Sequence, residues 1–366
     1  MHRMIKENIK KELNNYLKSI LNSNAKIKKI YPLQKQTIKK EKLKDFNYGK
    51  SLLIETNIEG KRKEYILATM EKNRFGHEFF YDRAKSLLFD YSSFNKLPKH
   101  VKALDIGVYT DKNLFKSIGD AIEFYILREK AEGKEYIKDL LAIQETGSIS
   151  ELDWDRLKVL VQYLVSIHQK KNDKGYLYTR RIRELIGHGE CIMGLTDSYP
   201  EKLKYVGYDD LEKIEKNCIE WRYKLKKKNN RLSQIHGDFH PWNILFRKGL
   251  DFSVLDRSRG EWGEPADDVA SITINYLFLS LLNKNKTAEL FLKMFDTFWD
   301  LYLKDTNDSE ILSVIAPFYV WRALVLASPI WYPDIQLKIR EKLFRFIENV
   351  LTDDKFNYKS IKEYFI

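Results

Sequence analysis

Three side chains, Asp238, Asn243 and Asp256, follow one another in an order that could do chemistry together. They lie in residues 234–259, QIHGDFHPWNILFRKGLDFSVLDRSR, with Asn243 five residues after Asp238 and Asp256 thirteen after Asn243. A carboxylate on a tight loop can accept the proton of a hydroxyl group. An amide oxygen and a second carboxylate are hard donors suited to Mg2+, which keeps several waters and takes only one or two protein carboxylates. A base beside a held divalent cation is what phosphoryl transfer to an alcohol requires, because that reaction asks a protein mainly for positioning and charge stabilisation.

Such a set works only if its spacing is rigid. The apolar runs Ile244–Arg247 and Phe252–Leu255 flank Lys248-Gly249-Leu250-Asp251 and predict a hairpin that fixes Asn243 against Asp256. Helical periodicity predicts helices over Asp153–His168, Arg180–Ile186, Leu211–Lys226, Asp267–Leu282, Thr287–Leu303, Glu310–Ala327 and Asp334–Leu351. Before residue 128 the pattern is mostly of strands: Ala25–Leu33, Ser51–Thr56, Lys63–Met70, Leu104–Tyr109 and Ala121–Leu127, with a helix near Gly76–Tyr91. Asn57-Ile58-Glu59-Gly60 is the turn between two of them. Ile5, Ile9, Leu13, Leu17 and Ile20 recur at helical spacing and predict an amphipathic N-terminal helix that packs on the protein.

The order His236-x-Asp238-x-x-x-x-Asn243, then a strand-borne Asp256, has the spacing of a kinase catalytic loop. The segment resembles the aminoglycoside phosphotransferase family of kinase-like small-molecule kinases, whose loop reads HGD-x-H-x-x-N. The likeness extends to residues 263–270, GEPADDVA, similar to G-x-P-x-x-D-[LV]-A, and to Leu127–Gly133, similar to the family's linker L-x-E-x-x-x-G. The resemblance implies an α+β, bilobal protein-kinase-like fold, with a small antiparallel sheet in the N-lobe and a larger, mainly helical C-lobe. The boundaries read from the sequence are an N-terminal basic helix over 1–24, a nucleotide-binding lobe over 25–128, a linker over 129–133 and a catalytic lobe over 134–366.

By the same resemblance, Asp238 is the base and Asn243 and Asp256 hold Mg2+. His236 and Asp268 support the loop, and the adenine of ATP meets the main chain near Glu129 and Ala131. The acceptor is a hydroxylated small molecule. His240, Arg257, Arg259 and Trp262 are the residues that could meet it, the two arginines through an anionic contact. The sequence departs from the family on the third strand, where Met70 or Ala68 stands in place of a phosphate-holding Lys, and no glycine-rich loop is present. Glu78 is the one candidate for the companion acidic residue. The departure motivates a second reading, a pseudokinase-like nucleotide-binding or regulatory protein. A third, a metallohydrolase, would use His236, Asp238 and His240 as a metal cluster.

Several features carry plainer explanations. His168, inside an apolar helix, reads as a satisfied core histidine. Trp242, Trp262 and Trp331 read as core unless they line an acceptor pocket. Lys224–Arg231, KLKKKNNR, reads as a solvated helix end. Gly49-Lys50-Ser51 resembles the end of a Walker A loop, but Lys44 stands where the leading Gly belongs. Asp296, Asp300, Asp305 and Asp308 are acidic residues of the C-terminal helices with no assigned place at the site.

Composition bounds the rest. The chain has 366 residues, 43% hydrophobic and 32% charged, which excludes a disordered or fibrous protein. Two cysteines provide no disulfide framework and fit a reducing, cytoplasmic compartment. Residues 1–50 carry fourteen Lys/Arg against four Asp/Glu, so ten of the twelve net positive charges sit there. Such an arm leaves contact with nucleic acid or another polyanion open, although a solvated face is the simpler reading. The long apolar stretch Val314–Tyr332 is interrupted by Pro317, Arg322 and Pro329 and falls short of a membrane span. The sequence does not fix an oligomeric state.

Overall fold

The turn at Asn57–Gly60 closes a long hairpin. In the computed structural model, which describes residues 7–33 and 49–366, strands β2 (Gly49–Ile58) and β3 (Lys61–Met70) pair antiparallel from Gly49↔Met70 to Ile58↔Lys61. Strand β1 (Lys26–Pro32) adds to the other side of β2, giving the order β1-β2-β3. Helix α1 (Glu7–Ile20) covers this sheet by burying Leu13 and Leu17 against Ile54, with Tyr16, Ile27, Ile30 and Leu67 packed around them. Its apolar stripe thus packs on the protein, as its periodicity predicts. Ile5, most of the basic arm before Gly49, and Lys44 lie outside the described residues. Gly49-Lys50-Ser51 opens a strand, which disposes of a Walker A loop leading into a helix.

Helix α2 (Phe80–Phe94) and a small hairpin of β4 (Gly107–Tyr109) and β5 (Phe115–Ser117) complete the first of two compact units, which meet in the chain at Arg128/Glu129. The strand expected over Ala121–Leu127 does not form. That stretch is irregular, with Ile122, Tyr125, Ile126 and Leu127 each at least 85% exposed. An apolar run becomes a strand only when a neighbour accepts its main-chain ladder. Among the described residues none pairs with it.

The second unit is mainly helical. A short strand β6 (Lys134–Glu135) leads into α3 (Tyr136–Thr146), then α4 (Glu151–His168), α5 (Tyr176–Gly187), α6 (Ile192–Ser198) and α7 (Tyr208–Leu225). Strand β7 (Ser233–Gln234) precedes the candidate loop, the predicted hairpin follows as β8 (Ile244–Phe246) and β9 (Phe252–Val254), and β10 (Trp262–Gly263) returns to β7. Strands β6, β8 and β9 form an antiparallel sheet in that order. The remainder is α8 (Ala266–Leu282), α9 (Asn285–Thr306), α10 (Ala316–Ala327) and α11 (Leu337–Thr352). The α+β class with small antiparallel sheets and a larger helical part is therefore as the sequence predicts.

Two helices, α3 and α6, escaped the pattern reading, and one expected helix is split. Over Glu310–Ala327 a 3-10 turn at Ser309–Ser313 precedes α10, whose first turn holds Pro317. Proline has no N–H to donate and is tolerated only in a first turn, so the helix must restart there. The core is centred on α8, which is buried on every side from Ala266 to Ser280, including both aspartates of its first turn. Among the described residues no helix is long and apolar enough to cross a membrane.

Candidate active site

The loop carrying Asp238 is anchored from below by a buried carboxylate. Asp268, fully buried in the first turn of α8, accepts the Gly237 N–H at 2.7 Å and the His236 N–H at 2.8 Å. Its Oδ2 also meets His168 Nε2 at 3.1 Å, while His168 Nδ1 lies 2.8 Å from the Tyr302 hydroxyl. The Nε2–H donates to the carboxylate, and the Tyr302 hydroxyl completes the hydrogen bonds of the ring. Burial pushes the Asp268 pKa up, but the bond and charge of His168 and the contacts with His236 hold it below the usual carboxylate range. His168 is a satisfied core histidine with an added task, because it orients the carboxylate that holds the loop. Gly237 has φ +87°, and a Cβ there would come within 2.8 Å of the Arg259 Cβ, so only glycine fits the bend.

Above that anchor, Asp238 is held by three side chains. Its Oδ1 lies 2.5 Å from Arg322 Nη1, and its Oδ2 is 3.6 Å from His240 Nε2. Asn243 Nδ2 donates to the Asp238 carbonyl at 3.1 Å and approaches Oδ2 at 3.5 Å. Burial raises the Asp238 pKa, yet the approach of His240 and the Arg322 charge overcome it and hold the carboxyl well below its ordinary range. The buried His236 ring accepts from the Asp238 N–H at 3.3 Å and hydrogen-bonds the Leu255 main chain. Burial lowers the pKa of His236, only partly offset by Asp268 and Asp238, so the ring favours its neutral form.

Asp256 is tied to Asn243 through the main chain. Ile244 pairs with Val254, and the Leu255 N–H donates to the Asn243 carbonyl at 2.8 Å, which brings the strand end bearing Asp256 beside Asn243. Asp256 itself is exposed and has φ +58°, a left-handed conformation that costs a non-glycine residue energy. Because Asn243 spends its Nδ2 on the Asp238 carbonyl, its Oδ1 is left as the acceptor. An amide oxygen and an exposed carboxylate at adjoining strand ends fit Mg2+. The alternative cluster of His236, Asp238 and His240 does not form, since the His236 ring is committed to loop and strand main chain. Among the described residues no three His, Cys, Asp or Glu side chains converge as a metal site.

Around Asp238 lies a group of arginines that the motif did not reveal. Buried Arg322, on α10, also donates to the Gly237 carbonyl at 3.0 Å and to Asp267 at 3.1 Å, and its guanidinium lies 3.7 Å from the Trp321 ring centroid. Arg181, on α5, bonds Asp267 at 2.5 Å. The signal for Arg322 was present in the sequence: a lone charge in an otherwise apolar helix must find a counter-charge. Of the two arginines expected to contact an anion, Arg257 is exposed and bonded to the main chain. Its guanidinium donates to the Ile235 and Glu261 carbonyls, at 2.8 Å and 3.2 Å through Nη2, and so serves the β7–β10 join. Arg259 ion-pairs with Glu190 and faces Trp321.

Trp262 is half-buried in β10, opposite Gln234. Trp242 and Trp331, expected in the core, are 39% and 63% exposed, and Trp299 and Trp321 fill that place instead. Arg231, expected at a solvated helix end, is buried in a two-pronged bond to Glu264 (2.7 and 2.9 Å) with Asp308 beside it. Asp308 therefore belongs to that structural pair, and Asp300 pairs with Lys359. Glu129 and Ala131 lie in irregular chain ahead of β6, and Glu78 is buried just before α2. On β3, Met70 and Ala68 stand opposite Gly49 and Ser51, while Lys50 on β2 ion-pairs with Glu71.

No family model matches this chain, and no curated protein matches it. The chain is similar to solved structures, three of which follow. One is amicoumacin kinase hAmiN in complex with AMP-PNP, Ca2+ and Ami, with TM-score 0.40 and 15% identity over 99% of this chain and 100% of the other. Another is Plasmodium vivax ethanolamine kinase, with TM-score 0.33 and 15% identity over 95% and 84%. A third is choline kinase LicA from Streptococcus pneumoniae, with TM-score 0.33 and 13% identity over 94% and 99%.

Proposed function

We propose that this protein is an ATP- and Mg2+-dependent phosphotransferase that moves the γ-phosphate of ATP to a hydroxyl of a small molecule. The observation that carries the reading is the joining of Asp238, Asn243 and the strand end of Asp256 on one loop-and-hairpin element anchored by Asp268. Asp238 would receive the acceptor's hydroxyl hydrogen. Its ion pair with Arg322 keeps it ionised and weakly basic, so it orients the hydroxyl first and takes the proton late, as the new oxygen–phosphorus bond forms and ADP departs. Asn243 Oδ1 and the Asp256 carboxylate would hold Mg2+, which when bound supplies charge neutralisation at the phosphate oxygens. The main chain near Glu129 and Ala131 would receive the adenine.

A second reading, a nucleotide-binding or regulatory protein without efficient transfer, is favoured by one observation: β3 offers Met70 and Ala68 where a phosphate-holding Lys would stand. Thermal unfolding with ATP and Mg2+, together with ATP consumption over a panel of hydroxylated metabolites, separates the two. Asp238→Ala is expected to abolish consumption while keeping nucleotide stabilisation, and Asp256→Ala to lose the Mg2+-dependent part of that stabilisation. Full turnover by Asp238→Ala would sink the phosphotransferase. Stabilisation of the unmodified protein without transfer to any acceptor would favour the second reading.

A further inference from the structure

One side of the candidate base is lined by arginines. Arg181, Arg259 and Arg322 gather there around two carboxylates, Asp238 and Asp267. Arg259 lies against the loop itself, since a Cβ on Gly237, the residue preceding Asp238, would touch its Cβ at 2.8 Å. Burial, then repulsion from Arg322 and Arg181, lowers the Arg259 pKa to about 10. A guanidinium in that situation gains from any anion brought beside it. The Nε atoms of all three arginines are buried without a hydrogen-bond partner.

One anion already reaches the cluster. The carboxylate of Glu190 meets Arg259 Nη1, while the Glu190 carbonyl accepts from the Trp321 indole at 3.0 Å. Glu190 belongs to the short turn between α5 and α6, and its side chain is 62% exposed, so this pair is a rim contact that a ligand can replace. The aromatic face of Trp321 backs both Arg259 and Arg322. The site therefore presents, next to the base, a guanidinium with a replaceable oxyanion on an apolar floor.

We propose that the phosphoryl acceptor carries an oxyanion, a carboxylate or a phosphate, that displaces Glu190 from Arg259 while its hydroxyl meets Asp238. The inference rests on the phosphotransferase reading and narrows it to hydroxy acids and phosphorylated alcohols. Arg322, already paired with Asp238, disfavours acceptors that bring an ammonium group to that carboxylate.

The test uses the full chain with ATP and Mg2+ and three classes of acceptor: gluconate, glycerate and glucose 6-phosphate; glucose and glycerol; glucosamine and ethanolamine. Phosphorylation of the anionic class above the other two is expected, with the carboxylates and glucose 6-phosphate separating the two oxyanions. For the acceptor found, Arg259→Gln should raise KM by about tenfold or more, the worth of a charge-assisted hydrogen bond. kcat and the KM for ATP should hold, and Arg259→Lys should recover part of the loss. Glu190→Gln, which removes the competing carboxylate, should lower that KM by up to about fivefold. Transfer confined to neutral or cationic acceptors, or an Arg259→Gln variant with unchanged acceptor KM, overturns this inference and leaves the phosphotransferase standing. Absence of transfer to all three classes overturns both.

Discussion

The carboxylate of Asp238 sits between the Arg322 guanidinium and the His240 ring on a loop bolted to Asp268, whereas Asp256 is exposed at a strand end and takes part in no ion pair among the described residues. The protein supplies the counter-charge of the first and leaves the second to another source. A group meant to hold a hydroxyl in one geometry needs its rotamer and charge fixed in advance. A group meant to bind a cation needs its charge uncompensated and its oxygens open to solvent. The left-handed backbone at Asp256 adds to the contrast, since strain kept at an exposed residue gives the fold no packing in return.

Removing the anchor should produce the largest effect. Asp268→Ala leaves two loop N–H groups and His168 without their acceptor in a fully buried place, and a loss of about 3–5 kcal/mol is expected in urea unfolding. Asp256→Ala should cost less than about 1 kcal/mol. Equal costs for the two would end the comparison.

Next comes the charge on Asp238. Arg322→Gln removes the cation that holds this carboxyl down, so its pKa should rise. In the unmodified protein the group stays ionised well below the pH at which a free Asp titrates, near 3.9. In the variant the acid limb of the kcat/KM profile should move to higher pH. An unshifted limb would show that Asp238 is not the titrating base.

A smaller effect concerns His236. Its folded-state pKa lies below that of an unfolded histidine, so the unfolded chain binds the proton more readily. The contribution of neutral His236 is fully present above pH of about 6.5 and declines as pH falls below that value toward the folded pKa. His236→Asn should flatten the stability–pH curve in that window. An unaltered slope would mean that other groups set it.

The smallest effect is expected at Asp256 itself. Asp256→Gly relieves the left-handed strain and should leave stability unchanged or raised by up to about 1 kcal/mol, while abolishing Mg2+-dependent nucleotide binding. A loss of more than about 1 kcal/mol would show that the Asp256 carboxylate holds the fold, and the contrast with Asp238 would be blurred.

Much of the site was legible because it is local. The six residues from Asp238 to Asn243 and the hairpin to Asp256 are short-range, and the strand ends fell within one residue of those predicted. The helix over Asp267–Leu282 was also visible, to within one residue of its observed start. Other readings failed where a partner distant in sequence decided the outcome. Arg257 and Arg259 are two residues apart and look alike as letters, but one is consumed by the Ile235 and Glu261 carbonyls and the other reaches Glu190. Arg231 closes a charged run and is nonetheless buried on Glu264. Ala121–Leu127 has strand composition without a ladder partner among the described residues.

The sequence by itself therefore determined the ordered donors, the hairpin that spaces them and the glycine bend before Asp238, since hydrogen-bond ladders and turns a few residues long are written in adjacent residues. Tertiary structure alone decided which charges face one another: Arg322 with Asp238 across 84 residues, His168 with Asp268 across 100. Coulomb energy and desolvation depend on distance and burial in space, and those are set only when α4, α8 and α10 pack around one core.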